Sequence, residues 1–194
     1  PLINMAVSIP DGETPKGIVD DFANALRVPE NQKYGAFHGK ESFKQAIVDF
    51  YKRQYNVELD KDDEVCILYG TKNGLVGLPN CIVNPEDYVL LPDPGYTDYL
   101  AGVLFADAKP YALELEPPYY QPDFDKVPGE VLSQTKLIYL TYPNNPTGST
   151  VTQDVFDDVV QKFRGTQTKI VHDFAYAAFG FDHKNPSILQ TAGG

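Results

Sequence analysis

The sequence is poor in basic residues and has no long apolar run, and each shortage excludes a class of protein. Its 194 residues include 16 lysines and arginines against 27 aspartates and glutamates, which gives a formal net charge of −11 at pH 7. A surface this acidic repels a nucleic-acid backbone or an anionic membrane. No stretch approaches the roughly 20 apolar residues that cross a bilayer, and the first residues do not resemble a secretion signal. We therefore expect no nucleic-acid partner and no membrane partner.

Cysteine and histidine are also scarce, with two and three residues respectively. Cys66 and Cys81 lie among apolar residues without metal-ligand spacing, so we predict reduced core residues of a cytoplasmic protein. His38, His172 and His183 show no ligand spacing either. The sequence therefore predicts no disulfide and no metal site.

The composition is that of a globular domain, with 42% hydrophobic and 12% aromatic residues. From about residue 40 onward, helical and strand patterns alternate, beginning with an amphipathic helix over 42–55. The predicted strands are 65–70, 88–92, 109–115, 136–143 and 169–173, and the helices between them are 72–83, 97–106, 125–133 and 152–164. This order predicts an α/β fold with a mainly parallel sheet covered by helices on both faces, a three-layer α/β/α arrangement.

Ligands bind beyond the carboxyl ends of the strands in such a sheet, so the residues that follow each strand are the candidate functional residues. In "YGTKNGL" (69–75), Gly70 permits a tight turn and the next two residues, Thr71 and Lys72, add a hydroxyl and an ammonium. That combination suits a phosphate, with an ordinary strand-to-helix turn as the alternative. In "PDPGYTDY" (92–99), Tyr96 either stacks on a planar ligand or anchors the following helix.

The stretch "YPNNPTG" (142–148) places two asparagines between two prolines. The prolines restrict the backbone, so the amides of Asn144 and Asn145 are held in place. Such an amide could donate to a ligand oxygen, and the alternative is a turn that leads into the next helix. The sequence leaves both interpretations open.

The stretch "VHDFAYAAFGFD" (171–182) places Asp173 at the end of an apolar strand, with Tyr176 three residues later. A carboxylate at that depth is costly unless it meets a cation or strong donors, and backbone amides could serve as those donors. His172 lies on the opposite face of the strand, so we expect its ring to point into the packing.

Taken together, these motifs resemble the pyridoxal-phosphate-dependent aminotransferases of fold type I, the class I and II aspartate aminotransferase superfamily. The resemblance covers nearly the whole chain, and "VHDFAYAAFGF" is most similar to the diaminopimelate and alanine aminotransferase-like branches. The motifs occur in family order: "SIPDGETP", "YGAFHG", "YGTKNGL", "PDPGY", "YPNNPTG" and "HDFAYAAFGFD". The resemblance implies pyridoxal 5'-phosphate as cofactor, an amino acid and a 2-oxo acid as substrates, and a homodimer.

The resemblance also implies which residues contact the cofactor ring. Asp173 would pair with the ring nitrogen and keep it protonated. Asn145 and Tyr176 would contact the phenolic oxygen, and Tyr96 would stack on the ring face. The ring would then accept the electrons released when the substrate's Cα–H bond breaks.

The remaining implied contacts are with the phosphate. Gly70, Thr71 and Lys72 would hold it at the start of a helix. Tyr34, in "KYGAFHG", would reach the phosphate bound by the partner subunit. These four residues complete the predicted cofactor site.

The sequence departs from the family pattern in one central respect. The family's serine-and-lysine motif, which carries the lysine that bonds to the cofactor, has no counterpart before the final "SILQTAGG". We therefore expect a partial cofactor domain over residues 34–194 after an N-terminal segment over 1–33, inactive on its own. Lys72 is expected near the phosphate and not near the aldehyde.

The family's topology has a further consequence for the sheet. Two later strands of the family lie between the strands predicted here at 65–70 and 169–173. We therefore expect the exposed edge to be covered by rearrangement or association, or residues 65–83 to be weakly ordered. Pro79 should also interrupt the predicted helix 72–83.

Two alternative functions stay open at this point. The chain could be a non-catalytic module that binds the cofactor or mediates association. The full-length parent could also use the same fold and cofactor for a C–S lyase reaction. In either case the fold prediction is the same.

Overall fold

Two stretches of the chain form separate compact units, Pro1–Lys40 and Glu41–Gly194. The computed structural model describes residues 12–191. In the first unit, helix α1 (Lys16–Leu26) is followed by a 3-10 turn at Pro29–Gln32, and no residue of α1 is buried. The predicted N-terminal segment 1–33 begins outside the described residues, and its boundary with 34–194 stays a prediction.

From residue 88 onward, the second unit alternates strands and helices in the predicted order. Its helices are α2 (Glu41–Tyr55), α3 (Thr71–Gly77), α4 (Pro79–Ile82), α5 (Asp98–Phe105), α6 (Gly129–Gln134) and α7 (Gln153–Phe163), and its strands are β1 (Tyr88–Asp93), β2 (Lys109–Glu114), β3 (Thr135–Thr141) and β4 (Lys169–Asp173). Single 3-10 turns lie at Phe124–Lys126 and Ile188–Gln190. Pro79 separates α3 from α4, because proline cannot donate to the preceding turn of a helix.

The four strands form one parallel sheet in the order β2-β1-β3-β4. At the carboxyl end of the sheet, Thr141 of β3 lies opposite Asp173 of β4. Side chains alternate across the sheet, so each of its faces has its own hydrophobic core. The α/β fold with a parallel sheet is confirmed.

Neighbouring residues of β3 show how the two faces divide. Ile138 and Leu140 pack in the core that includes Phe156 of α7. Leu137 and Tyr139 pack in the opposite core, which includes Tyr99 of α5. Helices on both faces therefore cover the sheet in three layers, as predicted.

The prediction of a strand at 65–70 is wrong. These residues form no strand, and the side chains of Leu68 and Tyr69 are exposed. The physical reason is the one expected from the family's topology: β4 ends the sheet on that side, with no further strand among residues 12–191. An apolar run without a hydrogen-bonding neighbour cannot form a sheet strand.

The prediction that the two cysteines lie in the core is also wrong. Cys66 and Cys81 are free, as predicted, but both are exposed and neither belongs to the core. Cys66 lies in the segment that fails to join the sheet, and Cys81 lies in the short helix α4. None of the helices within residues 12–191 is long and apolar enough to span a membrane.

Candidate functional site

A cavity of about 190 Å³ lies where the carboxyl ends of β3 and β4 meet the start of α3. Its lining residues are Thr71, Lys72, Leu75, Tyr96, Thr141, Asn145, Asp173, Ala175 and Tyr176. Six of the eight residues predicted for a cofactor site are among them. Gly70 immediately precedes Thr71, and Tyr34 belongs to the first unit, where its side chain is fully exposed.

Asp173 is held by two donors at the end of β4. Its Oδ2 atom accepts a hydrogen bond from the Tyr99 hydroxyl at 2.7 Å. Its Oδ1 atom accepts one from the backbone N–H of Ala175 at 3.1 Å. Both oxygens therefore have a donor, which offsets the cost of a partly buried carboxylate. The group nonetheless lines the cavity, where it can meet a cationic ligand.

Tyr99, a residue that the sequence analysis did not single out, lies directly behind Asp173. Its hydroxyl also contacts the Thr141 hydroxyl at 2.5 Å, and its ring stacks on Tyr139 with centroids 4.6 Å apart. Burial is the main cause that raises the pKa of the Tyr99 phenol, so it stays protonated at neutral pH. Its only signal in the sequence is an apolar helix, which is also typical of an ordinary core tyrosine.

Lys72, Tyr96 and Asp98 form a second group where the cavity meets the start of α3. The Lys72 ammonium makes an ion pair with the Asp98 carboxylate and lies 5.8 Å from the centre of the Tyr96 ring. The Tyr96 hydroxyl donates to Asp98 at 2.9 Å. The hydrogen bond with Asp98 is the main cause that raises the pKa of Lys72, so the cavity has a cation at this end.

Tyr96 contacts the following helix, which is one of its two predicted roles, and its stacking on a planar ligand stays a prediction. It lines the cavity, and its ring also packs edge-on against Tyr99 of α5 with centroids 5.5 Å apart. Contact with the helix therefore fixes the ring that a planar ligand would meet.

The two asparagines of "YPNNPTG" have different tasks. Asn144 is buried and closes the turn, since its Oδ1 atom accepts from the Thr147 N–H at 3.3 Å and its own N–H donates to Ser149 at 2.9 Å. Asn145 lines the cavity, and its side-chain amide bonds to nothing else in the described part of the chain. Tyr176 also lines the cavity, and its hydroxyl has no hydrogen-bond partner within residues 12–191 either. Both groups can therefore serve a ligand.

The polar groups of the cavity fit a small ligand with a cationic ring and an anionic tail. At one end, the Asp173 carboxylate can pair with a protonated ring nitrogen, and the amide of Asn145 can donate to an oxygen. At the other end, the Thr71 hydroxyl and the Lys72 ammonium can bind an anion. Gly70 adopts a φ of +81°, which favours glycine, and no atom lies within 4 Å of where a Cβ would be.

Another cavity is larger, about 380 Å³, and lies between the end of α7 and the start of β4, beside Lys169 and Ile170. It contains none of the predicted site residues. Within residues 12–191, no group of three or more His, Cys, Asp or Glu side chains could hold a metal ion.

His172 points away from the cavity into the packing, as predicted. Its ring lies 4.6 Å from the rings of both Phe156 and Phe174. Its Nε2 atom lies 3.0 Å from the Tyr142 carbonyl oxygen, and its Nδ1 atom accepts from the Ile188 N–H at 3.4 Å. The imidazole is therefore neutral, and burial lowers its pKa from 6.5 to about 4.

This histidine should make stability depend on pH. Between pH 6.5 and about 4 the unfolded chain binds a proton at His172 and the folded chain does not, so the free energy of unfolding falls as the pH drops through that window. The contribution is at most about 3.5 kcal/mol, at about 1.4 kcal/mol per pH unit. Urea denaturation at several pH values should show the loss in the wild type and in His183→Gln. If His172→Gln lost as much stability over this pH range as the wild type, the loss would not come from His172.

Comparison with known proteins gives a consistent result. The sequence matches the family model for aminotransferase class I and II over residues 1–193. It is 45% identical to an L-glutamine--4-(methylsulfanyl)-2-oxobutanoate aminotransferase of Bacillus subtilis, over 99% of this chain and 49% of that protein. It is 40% identical to an LL-diaminopimelate aminotransferase of Aquifex aeolicus, over 99% of this chain and 50% of that protein.

A solved structure of an aminotransferase from Staphylococcus aureus is 75% identical in sequence. It superposes with a TM-score of 0.96 over 98% of this chain and 51% of its own. The chain spans about half the length of the curated relatives it matches.

Proposed function

The chain belongs to the class I and II aminotransferase family, and from this premise we propose that it supplies cofactor-binding residues to a transaminase. The enzyme transfers an amino group between an amino acid and a 2-oxo acid, and enzymes of this family depend on pyridoxal phosphate. The observation that carries the proposal is the single cavity lined by Asp173, Asn145, Tyr176 and Lys72. Its polar groups complement the ring nitrogen, the phenolic oxygen and the phosphate of pyridoxal phosphate.

The ring end of the cofactor is assigned to the carboxyl ends of the strands. Asp173 pairs with the ring nitrogen and keeps it protonated, while Asn145 and Tyr176 contact the phenolic oxygen. Tyr96 stacks on the ring. When bound, pyridoxal phosphate supplies an electron sink for the electrons of the substrate's Cα–H bond. The role of Asp173 is to hold a proton at the ring nitrogen, which makes that sink effective.

The phosphate end is assigned to the start of α3. The backbone at Gly70 and Thr71, the Thr71 hydroxyl and the Lys72 ammonium bind the phosphate. Tyr34 is assigned to the phosphate of the partner subunit in a homodimer, and the full exposure of its side chain is compatible with that role. Two free, exposed cysteines are compatible with a reducing compartment, the cytoplasm.

Calorimetric titration with pyridoxamine phosphate tests the proposal. This form of the cofactor carries an amine in place of the aldehyde, so it cannot bond covalently to lysines and reports only the contacts described above. We expect saturable binding of one molecule per chain, and much weaker binding of pyridoxamine, which lacks the phosphate. Absence of saturable binding, or equal binding of the two compounds, would count against the proposal.

Lys72 should not bond covalently to the cofactor. It is the only lysine among the described residues that line the cavity, and its ammonium is held in the ion pair with Asp98. A protonated, paired amine does not attack an aldehyde. Incubation with pyridoxal phosphate, reduction with borohydride and peptide mapping by mass spectrometry should give no stoichiometric adduct at Lys72. A single specific adduct there would show that this chain supplies the lysine itself.

A further inference from the structure

The hydroxyl group of Tyr99 lies directly behind the carboxylate that the proposed function assigns to the cofactor. It is 2.7 Å from Oδ2 of Asp173, and the side chain is only 1% exposed. We propose that Tyr99 is a positioning residue, which orients the carboxylate of Asp173 toward the cavity before the cofactor binds. The inference rests on the proposed function, because it assumes that Asp173 pairs with the ring nitrogen.

Packing fixes the position of the Tyr99 hydroxyl. The ring stacks on Tyr139 at an interplanar angle of 13°, with centroids 4.6 Å apart. The hydroxyl of Tyr139 in turn donates to the backbone oxygen of Leu75 at 2.7 Å. Leu75 belongs to α3, the helix that begins with Thr71 and Lys72. One stacked pair of tyrosines thus connects the carboxylate end of the cavity to the end assigned to the phosphate.

The count of protons gives the hydrogen bonds a direction. An ionised carboxylate only accepts, so the single hydroxyl proton of Tyr99 is donated to Asp173. The Tyr99 oxygen is then free to accept from Thr141, whose Oγ1 atom lies 2.5 Å away. Thr141 of β3 is paired with Asp173 of the adjacent strand β4, so its hydroxyl supports the same arrangement.

The two donors to Asp173 approach different oxygens, and together they restrict rotation of the carboxylate. The Ala175 N–H holds Oδ1 and the Tyr99 hydroxyl holds Oδ2. Without the hydroxyl, Oδ2 loses a donor in a place where the tyrosine ring still excludes water. The carboxylate is then less well oriented, and part of a ligand's binding energy is used to orient it.

A double-mutant cycle tests the inference. Tyr99→Phe removes only the hydroxyl, and Asp173→Asn removes the charge that it serves. We expect Tyr99→Phe to weaken pyridoxamine phosphate binding about tenfold in the wild-type background, as for the loss of one hydrogen bond to a charged group. In the Asp173→Asn background the same change should alter affinity less than about twofold. A role confined to packing would give equal losses in both backgrounds.

Tyr142→Phe is the matched control. Its hydroxyl donates to the backbone oxygen of Tyr120 at 2.6 Å, in the core on the other face of the sheet. It therefore removes a buried tyrosine hydroxyl without touching Asp173, and pyridoxamine phosphate binding should stay at the wild-type value. Thermal unfolding of each variant verifies that it is folded.

The outcomes separate the two proposals. If the wild type binds pyridoxamine phosphate and Asp173→Asn weakens binding, but Tyr99→Phe does not, the positioning role is wrong and the proposed function stands. If the wild type does not bind, or Asp173→Asn binds as well as the wild type, the assignment of Asp173 fails and the inference falls with it.

Discussion

Asp173→Asn is expected to weaken binding of pyridoxamine phosphate about ten- to hundredfold. The variant keeps nearly the same shape but loses the negative charge that pairs with the protonated ring nitrogen. A hydrogen bond between charged groups contributes about 1.5–3 kcal/mol, which corresponds to that range of affinity. Calorimetric titration at neutral pH measures the difference directly. The effect should be the largest of any single substitution in the cavity, because no other described anionic side chain lines it.

Two controls make the Asp173 result specific. Asp182→Asn removes a charge from an exposed residue nine positions later and should leave the affinity unchanged. A ligand in which carbon replaces the ring nitrogen should bind the wild type and Asp173→Asn equally. If Asp173→Asn also weakens binding of that ligand tenfold, the carboxylate acts through the fold and not through the nitrogen.

Phe156→Ala is expected to lower the free energy of unfolding by about 3–5 kcal/mol, the usual range for removing a fully buried phenylalanine. Phe156 of α7 has no exposed surface and lies in the core between the sheet and α7. Its ring contacts Tyr142 and His172, with centroids at 6.3 and 4.6 Å. Both neighbours adjoin residues that line the cavity, because Tyr142 follows Thr141 and His172 precedes Asp173. Urea denaturation measures the loss.

The control for this substitution is Phe181→Ala. Phe181 is fully exposed, and its removal should change the free energy of unfolding by less than about 0.5 kcal/mol. Equal losses for the two variants would mean that α7 does not pack on the sheet as described.

The sequence could predict the strands that are buried between two layers of helices. In β3, both faces of the strand are apolar, because Leu137 and Ile138 enter different cores. The same kind of apolar run predicted a strand at 65–70, where none forms. The pattern reports that a segment can be buried, whereas a strand also needs a neighbour to complete its hydrogen bonds, and the segment's own sequence does not show whether one is present.

The site could be predicted where its residues follow strands. Asp173 and Asn145 come at strand ends, where the fold class directs attention, and the structure places both at one cavity. Tyr99 and Thr141 were missed because they lie inside a helix and a strand, where their local patterns are those of core residues. Tyr99 is 74 positions from Asp173, so only the folded chain shows their hydrogen bond. The cysteines were predicted to be buried because their neighbours in the sequence are apolar. Both are exposed, because a local pattern does not show whether a segment packs against the rest of the fold.

Titration of the isotopically labelled chain with pyridoxamine phosphate, followed by ¹H–¹⁵N NMR, tests the central claim most directly. The account predicts saturable shifts of backbone amide signals concentrated in residues 70–75, 96–99, 141–145 and 173–176, around the one cavity. Shifts concentrated elsewhere, for example beside the larger cavity near Lys169, or no saturable shifts at all, would contradict the claim that this cavity binds the cofactor.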